Sequence, residues 1–161
     1  MKAVKSFFVS FVLLLSVFVH ASDKFPTMPD PNITPGAICE GSDVRRYPEN
    51  IVYCDRNVDS KTKDAIIRQY DKELGYSIQT MSRGEFKIDH FIPLSIGGAN
   101  TKENLWPQHR SVYTITDPLE QLLFDKIKVG LIKQADAIRV MREAKLNLDR
   151  VPELIDYVSA L

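Results

Sequence analysis

Residues 85–110 read EFKIDHFIPLSIGGANTKENLWPQHR, and the reading of this stretch decides the fold. It opens on the alternating run Phe86-Lys87-Ile88, the pattern of a half-buried strand, which delivers the adjacent pair Asp89-His90. An apolar patch of Phe91, Ile92 and Leu94 follows, then a turn at Gly97-Gly98. Asn100-Thr101 and Asn104-Leu105-Trp106 close the loop, and His109 comes shortly after. Neighbouring side chains on a strand leave opposite faces, so for Asp89 and His90 to serve one site the chain must bend where the strand ends. Pro93 and the glycines supply such breaks. A carboxylate is a good ligand for a hard divalent cation, and a neutral imidazole beside it accepts a proton from water near neutral pH. Phosphodiester hydrolysis needs that pair of functions: one group stabilises developing charge, the other makes the nucleophile. The plain alternative is a buried Asp-His hydrogen bond that pins a loop.

The run from Asp89 to Gln108, DH-x-I-P-L-x-x-G-G-x-N-x-x-x-N-L-W-P-Q, resembles the HNH (ββα-metal) nuclease superfamily, and within it a group of small exported bacterial proteins. Similar segments lie on either side, at Cys54-Asp55-Arg56-Asn57-Val58 with the helix from Ser60, and at Asp117-Pro118-Leu119-Glu120. The resemblance implies an α+β fold, a short ββα-metal (HNH) hairpin embedded in a mostly helical single domain. It implies a catalytic set of His90, Asp89 and Asn104, with His90 as general base and Asp89 on the metal. Asn104 either joins the metal shell or orders the loop through its amide. Two positions depart from the pattern. Lys87 stands where a glutamate is common, on the strand face of Asp89, and either pairs with that carboxylate or lies in solvent. The third metal position falls on Val112 or Tyr113, neither of them a ligand, so His109 is the nearest ligand-type side chain and Glu120 a second possibility. Arg83, Lys87 and Arg110 are the candidates to steady a scissile phosphate.

The function so implied is an exported, metal-dependent endonuclease hydrolysing phosphodiester bonds in DNA, with RNA as a further possibility. The cofactor is a divalent ion, Mg²⁺ first, with Mn²⁺ or Zn²⁺ as alternatives. The rival reading is a catalytically inactive HNH-fold binding protein. Trp106 reads as core packing in preference to a base-stacking platform.

Export rests on Met1–Ala21. Lys2 and Lys5 precede an apolar run from Phe7 to Val19, and Val19-His20-Ala21 offers acceptable residues for cleavage. The run is shorter than the roughly 20 apolar residues a membrane span needs, although an uncleaved anchor is the alternative. The expected destination is the periplasm or the medium, with no stable membrane association once the signal is removed. The segment carries two of the 21 basic residues and none of the 21 acids, so the remainder has a net charge of about −2. That balance is unlike most nucleic-acid binders, whose basic residues neutralise phosphates, and it requires a local patch or a bound metal to meet them.

Residues 22–37 hold four prolines and read as an extended leader; residues 38–161 form the single domain. Cys39 and Cys54 are the only cysteines, and in an exported chain they are expected to form a disulfide, with two free thiols as the alternative. A helix is expected from Asp59 or Ser60 to Leu74, ended by Gly75. Another is expected to be capped by Asp117 with Pro118 at its first position, and a third to run from about Lys133 to Ala144. A fourth is expected to be capped by Asp149.

Overall fold

The computed structural model describes residues 24–161, so the expected signal peptide and the first two residues of the leader lie outside it. Its centre is an antiparallel hairpin of β3 (Phe86–His90) and β4 (Leu105–His109), in which Asp89 pairs with Trp106 and His90 with Leu105. The strand therefore runs two residues beyond the alternating stretch, and both members of the Asp-His pair lie within it. The second strand, within the stretch read as closing the loop, forms because Leu105 and Trp106 bury there almost completely. A smaller hairpin pairs β1 (Arg45–Arg46) with β2 (Ile51–Val52). Four α-helices complete the described residues: α1 (Ser60–Leu74), α2 (Arg110–Lys128), α3 (Gln134–Leu146) and α4 (Val151–Ser159). The fold is α+β, a single domain with a hairpin set in a helical frame.

Helix α1 follows its local signals. The Asp59 carboxylate accepts from the Thr62 amide at 2.7 Å, Gly75 closes the helix at φ +75°, and Ile66, Ile67 and Tyr70 are buried. Helix α3 carries the expected stripe of Ala137, Val140, Met141 and Ala144, all fully buried. Helix α2 does not start at Asp117. It starts at Arg110, with His109 at the cap accepting from the Ser111 amide, and Pro118 lies inside it. An interior proline removes one backbone hydrogen bond and crowds the preceding turn, a cost of about 3 kcal/mol. Packing offsets it: Val112 and Thr116, the turns before the proline, are fully buried between hairpin and helices. Helix α4 is likewise entered differently. Asp149 sits within a 3₁₀ turn (Leu148–Arg150) and no side chain caps the helix.

Two apolar clusters result. One gathers Leu119, Leu123 and Ile127 of α2 with the buried faces of α3 and α4. The other packs α1 against the hairpin around Trp106, Tyr70 and Phe91. Trp106 is wholly buried, as expected of core packing. The leader has no helix or strand over residues 24–37, yet it is not loose. Thr34 is fully buried, with its hydroxyl 2.7 Å from the Tyr70 hydroxyl and donating to the Leu105 carbonyl at 3.1 Å. Arg142 donates to the Pro35 carbonyl at 2.6 Å, strapping the segment to α3. Cys39 and Cys54 form the disulfide, with Cα atoms 5.7 Å apart. No helix of the described residues is long and apolar enough to cross a membrane.

Candidate active site

The loop between β3 and β4 is built by Asn104. Its side-chain oxygen accepts from the Ile92 amide at 2.8 Å and, more weakly, from the Ala37 amide at 3.4 Å. Its nitrogen donates to the carbonyls of Ile92 and Ala99, each at 2.9 Å. An amide side chain has two donor and two acceptor positions, and all four are used here. Asn104 is therefore the loop's staple, with no lone pair left for a cation. Gly98 is needed beside it, since a Cβ there would collide with the Ile92 carbonyl.

His90 ends β3 only 2% exposed. Its Nε2 lies 3.1 Å from Asn100 Oδ1, and Asn100 Nδ2 donates to the Asp55 carbonyl at 2.7 Å. A carbonyl only accepts, so the amide must turn its oxygen to the imidazole, and that oxygen in turn requires a proton on Nε2. Nδ1 then carries the lone pair. Burial pushes the imidazole pKa down, opposed by the Asn100 bond and by the Asp89 charge, which keeps the ring neutral at pH 7.

Asp89 has a different setting. Burial would raise its pKa, but the ammonium groups of Lys145 and Lys87 outweigh burial and hold the carboxyl below its ordinary value. Lys145, from α3, is fully buried; its Nζ lies 3.3 Å from Asp89 Oδ2 and donates to the His90 carbonyl at 2.6 Å. Lys87 Nζ lies 3.6 Å from Asp89 Oδ2 and 3.0 Å from Asp117 Oδ2, above the Tyr113 ring at 4.7 Å. Glu120 completes the group, 3.8 Å from Lys145 Nζ, with its pKa raised mainly by burial. One oxygen each from Asp89, Asp117 and Glu120 lies within 4.8 Å of the others. An all-oxygen set of that span matches what hard cations such as Mg²⁺ or Mn²⁺ take, and fits Zn²⁺ less well.

No protein-family model, curated protein or solved structure matches this chain. The site must be read from its own groups.

Asp89 borders two cavities of about 350 Å³ each. One is acidic, with Asp117, Glu120 and Ser95, whose buried hydroxyl has no partner among the described residues. The other is basic, with Arg56, Lys63 and Arg83. Arg56 lines both, and its charge also depresses the pKa of His90, which itself lines neither cavity.

The sequence candidates divide accordingly. Asp89, Lys87 and Arg83 stand at these cavities, Arg83 with a partner in Asp64 at 3.3 Å. His109 does not join them. It lies three residues along β4 from Trp106, the partner of Asp89, or about 10 Å at the rise of a strand. There its ring stacks on Phe25 at 3.7 Å and Nδ1 engages Ser111. Exposed Arg110, beyond it, joins its backbone amide to the Glu85 carbonyl at the same far end. Asp117, expected as a helix cap, is instead a member of the acidic group. Lys145 is not among the sequence candidates, although the spacing Ala137, Met141, Lys145 puts it on the buried stripe of α3, and a lysine there needs a partner.

Proposed function

We propose that this chain is an exported, metal-dependent HNH-type endonuclease that hydrolyses phosphodiester bonds in DNA. The observation that carries the reading is the convergence of Asp117 and Glu120 on Asp89, within 4.8 Å, beside a buried neutral histidine. Asp89, Asp117 and Glu120 would hold a divalent ion, Mg²⁺ or Mn²⁺, which supplies charge stabilisation at the phosphate. His90 takes the proton of the attacking water at Nδ1, while Asn100 holds the ring by its other nitrogen. The water oxygen bonds to phosphorus as the ester P–O bond breaks, and the leaving oxygen takes a proton from solvent. Arg56, Lys63 and Arg83 attract the flanking phosphates, which answers the acidic balance of the chain as a whole. The disulfide fits an oxidising destination.

A second reading, a catalytically silent binding protein of the same fold, is favoured by one specific feature: two ammonium groups lie among the carboxylates. Plasmid nicking separates the two. The disulfide-bonded chain is incubated with Mg²⁺ or Mn²⁺, with EDTA, and as His90→Ala. Cleavage lost in both controls supports the nuclease; no cleavage with any divalent ion, in folded protein, supports the silent module.

A further inference from the structure

The two lysines in the acidic group differ in a way that separates their roles. Lys145 cannot leave. Its side chain is 0% exposed, it rises from the buried stripe of α3, and its ammonium is fixed by the His90 carbonyl and the Asp89 carboxylate. Lys87 can leave. Its side chain is 39% exposed, and it borders both the acidic cavity and the basic one, so it can withdraw from Asp117 without crossing protein. Withdrawal moves a side chain that is already 39% exposed further into water, whereas moving Lys145 would strand a buried carboxylate without its partner.

Charge decides what replaces it. Three carboxylates with both ammoniums present leave a net charge of −1. With Lys87 withdrawn and Lys145 in place the group carries −2, which one divalent ion neutralises. A divalent ion added beside both lysines would leave an excess positive charge in a partly buried site, where like charges a few ångströms apart repel by several kcal/mol at an effective dielectric of about 20.

We propose that the acidic group holds two cations, a permanent one in the Lys145 ammonium and an exchangeable one, for which the Lys87 ammonium and a single divalent metal ion compete. Lys87 is thus a determinant of metal affinity, and Lys145 limits the site to one metal. The inference rests on the metal-binding reading above and concerns how that binding is set.

Mn²⁺ titration tests it by a readout independent of cleavage. The oxidised chain, Lys87→Met and Lys87→Arg are titrated by calorimetry and by the electron paramagnetic resonance of free Mn²⁺, with circular dichroism to establish folding. Lys87→Met keeps the stem and removes the charge, and should bind one Mn²⁺ at least about tenfold more tightly than the unaltered chain. Its melting temperature should also rise more on adding Mn²⁺. Lys87→Arg keeps the charge and should gain nothing. Equal or weaker Mn²⁺ binding by Lys87→Met, with measurable binding in the unaltered chain, overturns the exchange while leaving the metal reading intact. No Mn²⁺ binding by any of the three overturns both, and a stoichiometry of two overturns the role given to Lys145.

Discussion

His90 and Asp89 are neighbours on one strand, yet one is held by neutral amides and the other by ions. The imidazole meets Asn100, which is itself anchored to the Asp55 carbonyl next to the disulfide. The carboxylate meets Lys145, Lys87 and, through them, Asp117 and Glu120. Neutral hydrogen bonds fix orientation, and burial is the largest influence on the ring's proton affinity. Ionic contacts fix the protonation state of the carboxyl against burial and leave room for exchange of one cation for another. A strand that carries a base and a ligand at successive positions is served by treating them oppositely.

Breaking the ionic side at its permanent member should have the largest effect. Lys145→Ala strands Asp89 in the interior without its buried partner and should cost about 3–5 kcal/mol, read as a shift in the denaturant midpoint. Lys145→Met, which restores bulk but no charge, should recover only part of that loss. On the neutral side, His90→Ala should lower nicking by roughly 10²–10⁴-fold while Mn²⁺ still binds, because the base and the ligands are separate groups. Loss of Mn²⁺ binding in that variant would show that the two sides are not independent. Cys39→Ser removes the bridge closing the loop that ends at Cys54, next to Asp55, and should cost about 3 kcal/mol; an unchanged melting curve under oxidising conditions would refute that. Asn100→Ala removes one hydrogen bond to the imidazole, costing about 1 kcal/mol, and should lower nicking more than it lowers Mn²⁺ affinity. The smallest effect belongs to His109→Ala. Stacked on Phe25 at the far end of the hairpin, its loss should leave Mn²⁺ affinity unchanged, and a weakened affinity would bring His109 back as a ligand.

The same division separates what could be read in the chain from what could not. Helix α1 was legible from end to end because Asp59, the apolar stripe and Gly75 act on their own turns. The neutral side was legible only in part: loop ordering by Asn104, 12 residues from Ile92, is one of the two roles read for it, whereas nothing in the sequence reading pairs Asn100 with His90. The start of α2 was misread because Asp117-Pro118 has every local mark of a helix beginning. Burial of Val112 and Thr116, five residues and one residue before Asp117, overrode that mark, and freed Asp117 to face Lys87. The leader has neither helix nor strand over residues 24–37, as its prolines indicate, but proline content says nothing of contacts, and Thr34 is buried all the same.

The sequence by itself determined the strand that carries Asp89 and His90, the stapled loop after it, the disulfide and the apolar stripes of α1 and α3. Each follows from backbone sterics, periodicity and hydrogen bonds spanning at most about one loop, and so leaves a pattern in neighbouring residues. Only the tertiary structure decided which charges surround Asp89. Lys145 lies 56 residues away and Asp117 30 residues from Lys87. Charges pair wherever packing of the apolar faces brings them, and packing is the one thing a local pattern does not record.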